Sequence, residues 1–359
     1  MTGLWDPITI GRMRIAQRIT MSPMTRSRAL DDGTPAPMAV EYYAQRAAFG
    51  MLITEGTQPS ADGQGYLNTP GIYTPEHVQG WRAIAEALHT RGAHLVIQLM
   101  HVGRMAHPDN TPHHREPVAP SAIPPGVDMF TPSGKQPAPT PRALTRDEIA
   151  ATVEDFAFAA EMAISAGADA VEIHGANGYL LQQFLAPNAN HRTDDYGGPM
   201  ENRARLTLEV AAAVAARIGA DRVGIRLSPG APLGGLDEGP ERDDLYRYLV
   251  AELARLDLAF LDIYSFDDHG LLADLRALWP NPLLLIRDGR TLDALGDDVT
   301  AGLADVAPVA KWALANPDFL TRLRAGAPLN DPDPATFYTG GERGYTDYPV
   351  LTDIDEEAS

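Results

Sequence analysis

His174, Asn177 and Tyr179 are the residues of this chain whose types and spacing best suit chemistry. They follow a β-branched run, Val171-Glu172-Ile173, that reads as a buried strand and stops abruptly at the histidine. An imidazole and a primary amide are neutral donors that can grip one oxygen atom, and a nearby phenol can deliver a proton. Read alone, the same residues also describe a core histidine beside a glycine-rich turn. The choice rests on the elements that position them.

Eight short apolar runs read as strands: Ile19–Pro23, Met51–Glu55, Leu95–Leu99, Asp169–His174, Val223–Leu227, Phe260–Tyr264, Leu283–Ile286 and Ala304–Val309. Helical periodicity fills stretches between them, as in Pro75–Arg91, Arg146–Ala166, Glu201–Ile218 and Glu241–Arg255. Thr145-Arg146-Asp147-Glu148 has the form of an N-terminal capping box, and Gly92 and Gly167 stand where helices should end. Near-continuous apolar strands alternating with helices imply a parallel sheet covered on both faces. Eight such units favour an α/β fold of the (β/α)8 TIM-barrel type, expected as a single unit over residues 1–359. The first strand is not followed by G-x-G-x-x-G, which argues against a dinucleotide-binding unit of the doubly wound kind. Residues 8–16 look like an apolar hairpin turning at Gly11-Arg12 and able to close the barrel floor. Residues 106–142, after the third strand, are rich in Pro, Gly and Ser without strand or helix period, and read as a long capping loop.

The formal charge, 29 − 48 = −19, argues against a phosphate-backbone partner, because nucleic-acid binding usually needs a basic face. Without cysteine there can be no disulfide, thiolate nucleophile or cysteine-held iron–sulfur cluster. The chain shows no secretory signal pattern and no apolar run of membrane-spanning length, so a cytoplasmic protein with no membrane partner is expected. Self-association through exposed barrel helices stays open.

In barrels of this type chemistry gathers at the C-terminal strand ends. Those ends read Thr25, then Glu55-Gly56, Gln98 with His101, and His174. They continue with Arg226-Leu227-Ser228, Tyr264-Ser265, Arg287-Asp288-Gly289 and Lys311. A ring so rich in donors and poor in clustered carboxylates does not suit metal-assisted hydrolysis, and no metal site is expected. It suits a planar, electron-rich, polar ligand. The ends of strands 7 and 8 are a usual phosphate position, where Lys311 would act as a point charge.

Taken together, the segments resemble the Old Yellow Enzyme family of FMN-dependent ene-reductases, nearly from end to end. The likeness runs through Arg18-Ile19-Thr20-Met21-Ser22-Pro23-Met24-Thr25-Arg26-Ser27-Arg28-Ala29, Glu41-Tyr42-Tyr43-Ala44-Gln45-Arg46 and Gln98-Leu99-Met100-His101-Val102-Gly103-Arg104. It continues through His174–Tyr179, Arg192-Thr193-Asp194-Asp195-Tyr196-Gly197-Gly198, Glu201-Asn202-Arg203, Asn316-Pro317-Asp318 and Gly344-Tyr345-Thr346-Asp347-Tyr348-Pro349. The pairing of HGANGY with RTDDYGG is the most specific part.

The resemblance implies an NAD(P)H-dependent flavin oxidoreductase that reduces the C=C bond of alkenes conjugated to a carbonyl or nitro group. Pro23, Met24 and Thr25 would lie along FMN, Gly56 would leave room beside its ring, and Gln98 would meet the pyrimidine edge. Arg226 would offer a positive fork to the reduced ring, and Gly289, Ala310 and Lys311 would meet the phosphate. His174 and Asn177 would hold the substrate oxygen, with Tyr179 as proton donor, while Tyr66, Met100 and Tyr345 would line the substrate pocket.

Three positions depart from the family pattern. Met100 stands where the family usually has Trp. Asp288-Gly289 replaces a usual Gly-Gly, and Ala310-Lys311 replaces a usual Gly-Arg, which exchanges a bidentate fork for a point charge. An acidic residue facing a phosphate would repel it, unless Asp288 turns away to pair with Lys311, Arg287 or Arg290. The changes leave a second reading open: a barrel with altered or lost flavin binding, working as a non-redox isomerase or cyclase, or as a binding protein.

Overall fold

The computed structural model describes residues 3–266 and 269–351, so the expected single unit of residues 1–359 extends past them at both ends. The eight predicted strands all form. They are β1 (Ile19–Met21), β2 (Met51–Ile53), β3 (His94–Leu99) and β4 (Ala170–Gly175). They continue as β5 (Val223–Leu227), β6 (Phe260–Ser265), β7 (Leu283–Arg287) and β8 (Ala307–Val309). Neighbours pair in parallel in the order β7-β6-β5-β4-β3-β2-β1-β8, and the bridge between Leu284 and Val306 joins the two ends of the sheet. The result is a TIM barrel.

The strands are buried on both faces, which is why they read as apolar runs without alternation. Leu52, Leu95, Ile97, Val171 and Ile173 pack outward among the helices. Met51, Ile53, Val96, Ala170, Phe260, Leu284 and Val306 point inward at the lower end. There they meet Ile10, Met13 and Ile15 of an antiparallel hairpin formed by Ile8–Ile10 and Met13–Ile15.

The helices follow their local signals. Pro75–His89 starts at Thr74, whose side chain accepts the His77 N–H, with Pro75 in the first turn. Arg146–Ser165 opens on the predicted capping box, in which Thr145 and Glu148 satisfy each other's backbone N–H groups. Gly92 and Gly167 follow their helices in left-handed backbone, at φ +73° and +101°.

Residues 106–142 correct the sequence reading. The segment is not devoid of regular structure: Asp128–Thr131 and Gly134–Pro137 form a hairpin, and Val118–Ala119 pairs with Arg142–Ala143. Arg192 straps this segment down, donating to the carbonyls of Pro120 at 3.1 Å and Leu144 at 2.5 Å while its other edge holds Asp194. Other motif residues also prove to be braces. Arg46, fully buried, donates to the carbonyls of Tyr42, Ala313 and Leu314, tying an early helix to the chain after β8. Among the described residues no helix is long and apolar enough to cross a membrane.

Candidate active site

The upper end of the barrel gathers most of the predicted residues. β4 delivers His174 opposite Arg226 of β5 in register. The His174 Nδ1 accepts the Ala176 N–H at 3.2 Å, so the ring proton belongs on Nε2, the edge free to donate. Burial and the Arg226 charge push its pKa well below the ordinary histidine value, which keeps the imidazole neutral at pH 7. The next turn is strained and held. Asn177 has φ +56°, its N–H donates to Ser228 Oγ at 2.8 Å, and its Oδ1 is buried without a hydrogen-bond partner among the described residues. Gly178 has φ +84°, and a Cβ there would strike the Leu233 carbonyl and the Gly234 backbone, so only glycine fits.

Tyr179 sits edge-on to the His174 ring, with centroids 5.0 Å apart, and edge-on to Tyr66 at 6.2 Å. Burial raises its phenol above the usual tyrosine range, and a hydrogen bond with Tyr66 pulls it partly back. Tyr66 is itself raised well above that range by burial. Both phenols are therefore protonated at neutral pH. Met100 packs with Val102, Ala106, Tyr66 and Tyr179.

Two glutamines hold the turn from behind. Gln182 Oε1 accepts the Gly178 N–H at 2.8 Å, and its Nε2 donates to the Ser228 carbonyl and to Glu238. Gln183 Nε2 donates to the carbonyls of Gly178 and Val102. Sequence reasoning passed over this pair. The available signal was two adjacent amides, both fully buried, inside the apolar helix Leu180–Leu185.

Opposite the turn, Pro23, Met24 and Thr25 follow β1, partly exposed. The next two backbone N–H groups, of Arg26 and Ser27, donate to Glu55 Oε2 at 2.9 and 3.0 Å, which fixes the path of the segment. Gln98 and Arg226 lie deeper. Gln98 Nε2 donates to Glu172 Oε1 at 2.8 Å, and Arg226 Nη1 donates to Asp262 Oδ2 at 2.8 Å and to Ser22 Oγ at 3.2 Å. Burial and the mutual proximity of Glu172 and Asp262 raise the pKa of Glu172 well above the carboxylate range, against the pull of Arg226. Sequence reasoning missed both carboxyls, which sit inside strands where every position is buried. It read Arg226 as a positive fork and did not find its ion-pair partner, Asp262.

Two pocket assignments are corrected. Tyr345 does not line the mouth. It is fully buried, stacks on Tyr42 at 4.0 Å and lies under Arg28 at 4.6 Å. Tyr338, 65% exposed, is the tyrosine of that segment close enough to Tyr66 and Tyr179 to influence both phenols. At Gly56 the space is already taken, since a Cβ would lie 2.3 Å from Met100 Sδ. That glycine makes room for methionine.

At the ends of β7 and β8 a cavity of about 230 Å³ is lined by Gly289, Arg290, Ala310 and Lys311, among others. Gly289 has φ +69° with open space where a Cβ would be. Asp288 stays in the cavity lining beside Tyr264, and its partner is none of the three anticipated: Tyr264 donates to its Oδ1 at 2.9 Å. Burial and this carboxylate push the Tyr264 phenol up to about 12. Arg287 and Arg290 both engage Asp298 and give the cavity wall two guanidinium groups, of which sequence reasoning listed Arg287 among the strand ends but gave neither a role at the phosphate.

Known proteins similar to this chain share its sequence pattern and its fold. Residues 3–330 match the model of the NADH:flavin oxidoreductase / NADH oxidase family. A probable flavin mononucleotide-dependent alkene reductase of Leishmania infantum is 41% identical over 358 residues, covering 96% of each chain. The structure of morphinone reductase in complex with tetrahydroNAD superimposes with a TM-score of 0.93 at 41% identity, covering 98% of both chains. The Old Yellow Enzyme homologue of Zymomonas mobilis gives the same TM-score at 38% identity, over 98% of this chain and 100% of that one.

Proposed function

The chain belongs to the NADH:flavin oxidoreductase / NADH oxidase family, and from that premise we propose that it is an FMN-dependent ene-reductase acting on alkenes conjugated to a carbonyl or nitro group. The observation that carries this reading is the grouping of a neutral imidazole, an amide with a partnerless buried oxygen, and a protonated phenol around one turn at the barrel mouth.

The residues present fit a flavin nucleotide. Arg226 Nε and Asn177 Oδ1 are buried polar atoms without a hydrogen-bond partner among the described residues, and the cavity at β7 and β8 presents Gly289, Arg290 and Lys311. Pro23, Met24, Thr25, Gln98 and Arg226 would hold the ring, and Gly289, Ala310 and Lys311 the phosphate. When bound, FMN supplies hydride chemistry, accepting from NAD(P)H and donating to the alkene Cβ. The protein's part is electrostatic and positional. His174 Nε2–H and the Asn177 amide donate to the substrate oxygen and stabilise the enolate-like charge that builds on it. Tyr179 delivers the proton to Cα. Its raised pKa keeps the proton in place until carbanion character develops at that carbon. Tyr66 and Tyr338 close the pocket around the phenol, and Met100 gives its wall an adaptable thioether.

The altered strand ends do not favour a barrel emptied of flavin. The acidic group that would repel a phosphate is engaged by Tyr264, and two guanidiniums stand in the wall. A visible spectrum of the isolated protein, with FMN titration and bleaching by NAD(P)H, tests the cofactor directly. Replacing Tyr179 by Phe should slow the oxidative half-reaction by about 10²–10⁴-fold and leave flavin reduction unchanged. Equal losses in both half-reactions under stopped flow would refute the role given to Tyr179.

A further inference from the structure

The barrel interior holds two carboxyl groups that the reduction scheme does not use. Glu172 on β4 and Asp262 on β6 are both fully buried. The charged and polar groups around them are Arg226, one guanidinium, and Gln98, a neutral amide. Each carboxyl has one oxygen engaged. Asp262 Oδ2 accepts from Arg226, and Glu172 Oε1 accepts from Gln98. The remaining oxygens, Asp262 Oδ1 and Glu172 Oε2, are both buried with no hydrogen-bond partner among the described residues, and the two carboxyls are near enough for each to change the other's proton affinity.

Two neighbouring buried carboxyls, each with an oxygen that lacks a donor, are best satisfied when they share one proton. Magnitudes agree. Two carboxylates roughly 4 Å apart at an effective dielectric near 20 repel enough to raise proton affinity about a thousandfold. Keeping a proton on an ordinary glutamic acid at pH 7 requires only about five-hundredfold. Full desolvation pushes in the same direction. Arg226 offsets one negative charge, and it touches Asp262.

We propose that Glu172 and Asp262 form a one-proton pair, with the proton on Glu172 Oε2 and the charge on Asp262, and that this pair sets the net charge Arg226 presents at the barrel mouth. Glu172 and Asp262 are thus positioning residues that act through Arg226 and Gln98. Arg226 arrives as half of a neutralised couple, and its cationic strength toward a bound ring is fixed by where the proton sits. Only the part concerning the ring rests on the flavin reading.

The test begins with flavin-free protein. Infrared difference spectra at pH 7 between the wild type and Glu172→Gln should show loss of one carboxylic-acid C=O band. In Asp262→Asn the same band should vanish, because Glu172 then ionises against Arg226. Failure to find the band, or its persistence in Asp262→Asn, overturns the proposal. Should Asp262→Asn fail to fold, the Glu172→Gln spectrum alone decides. In the FMN-loaded protein, Glu172→Gln should leave the flavin midpoint potential unchanged and the FMN Kd within about threefold, since it replaces a neutral acid by a neutral amide. The double variant Glu172→Gln/Asp262→Asn should raise the potential and tighten FMN by roughly tenfold, because Arg226 is then unopposed. A rise in Glu172→Gln as large as in the double variant also overturns it. Protein that stays colourless with FMN would refute the flavin reading and leave the infrared result standing.

Discussion

The two sides of the barrel mouth are built differently. On the β4–β5 side, the turn that presents Asn177 and Tyr179 is tied by Ser228, Gln182 and Gln183, all fully buried, with Glu238 and Tyr246 behind them. On the β7–β8 side, the cavity is walled by long cationic side chains, with Lys311 exposed and the Arg287–Arg290 pair gripping one carboxylate. The first side fixes donor directions toward the mouth; the second supplies charge, with its two guanidinium groups turned to Asp298 and Lys311 exposed. The difference follows from the task. Holding one oxygen beside a reacting double bond demands directed hydrogen bonds, and misplacement by about 1 Å can cost on the order of 10²-fold. A phosphate far from the reacting atoms tolerates point charges.

The contrast can be broken most severely at the donors. His174→Ala or Asn177→Ala should lower kcat/KM by about 10²–10³-fold while FMN affinity stays near the wild-type value, measured by steady-state kinetics and flavin fluorescence.

Acid should attack the braced side next. His101, whose carbonyl accepts the Leu180 N–H beneath the turn, has its pKa lowered by burial to about 4. Its unfolded value is near 6.5, so its contribution is complete above that pH and is lost as pH falls toward 4, where the unfolded chain binds the proton more readily. The loss amounts to roughly 3 kcal/mol, and His174 acts in the same direction. A Tm that does not fall between pH 6.5 and 4 would contradict this.

Gln182→Leu strips the turn of its support and leaves the Gly178 N–H and Glu238 short of partners. It should cost about 2 kcal/mol in denaturant unfolding, with kcat lowered more than KM is raised.

Changes on the other side should be mild. Lys311→Ala should weaken FMN by only a few-fold, and added salt should shrink the difference. Asp288→Gly should tighten FMN by a similarly small factor, because the carboxylate is already occupied by Tyr264. A hundredfold effect from either would erase the proposed contrast between the two sides.

Local patterns were legible wherever one stretch of chain settles its own conformation. The eight strands, the floor hairpin and the capping box of Thr145 and Glu148 are of this kind. The hairpin at residues 128–137 escaped notice because its short strands lie among prolines and glycines. Tyr345 was placed in the pocket, and Tyr338 overlooked, because tyrosines seven residues apart in a segment without regular structure look alike until packing assigns one to the core. Gly56 was credited with making space for a ring because the sequence does not show where the Met100 side chain goes.

From the sequence alone follow the barrel, the order of its strand ends and the run of donors along them, because strand burial and helix capping are written into neighbouring residues. Which of those donors meet, and in what charge state, was decided only by the closed fold. The pairing of Arg226 with Asp262, the contact of Glu172 with Gln98, and the turn of Asp288 toward Tyr264 join residues separated by 24 to 74 positions. Register between adjacent strands sets such contacts, and one strand's sequence does not contain its neighbour's register.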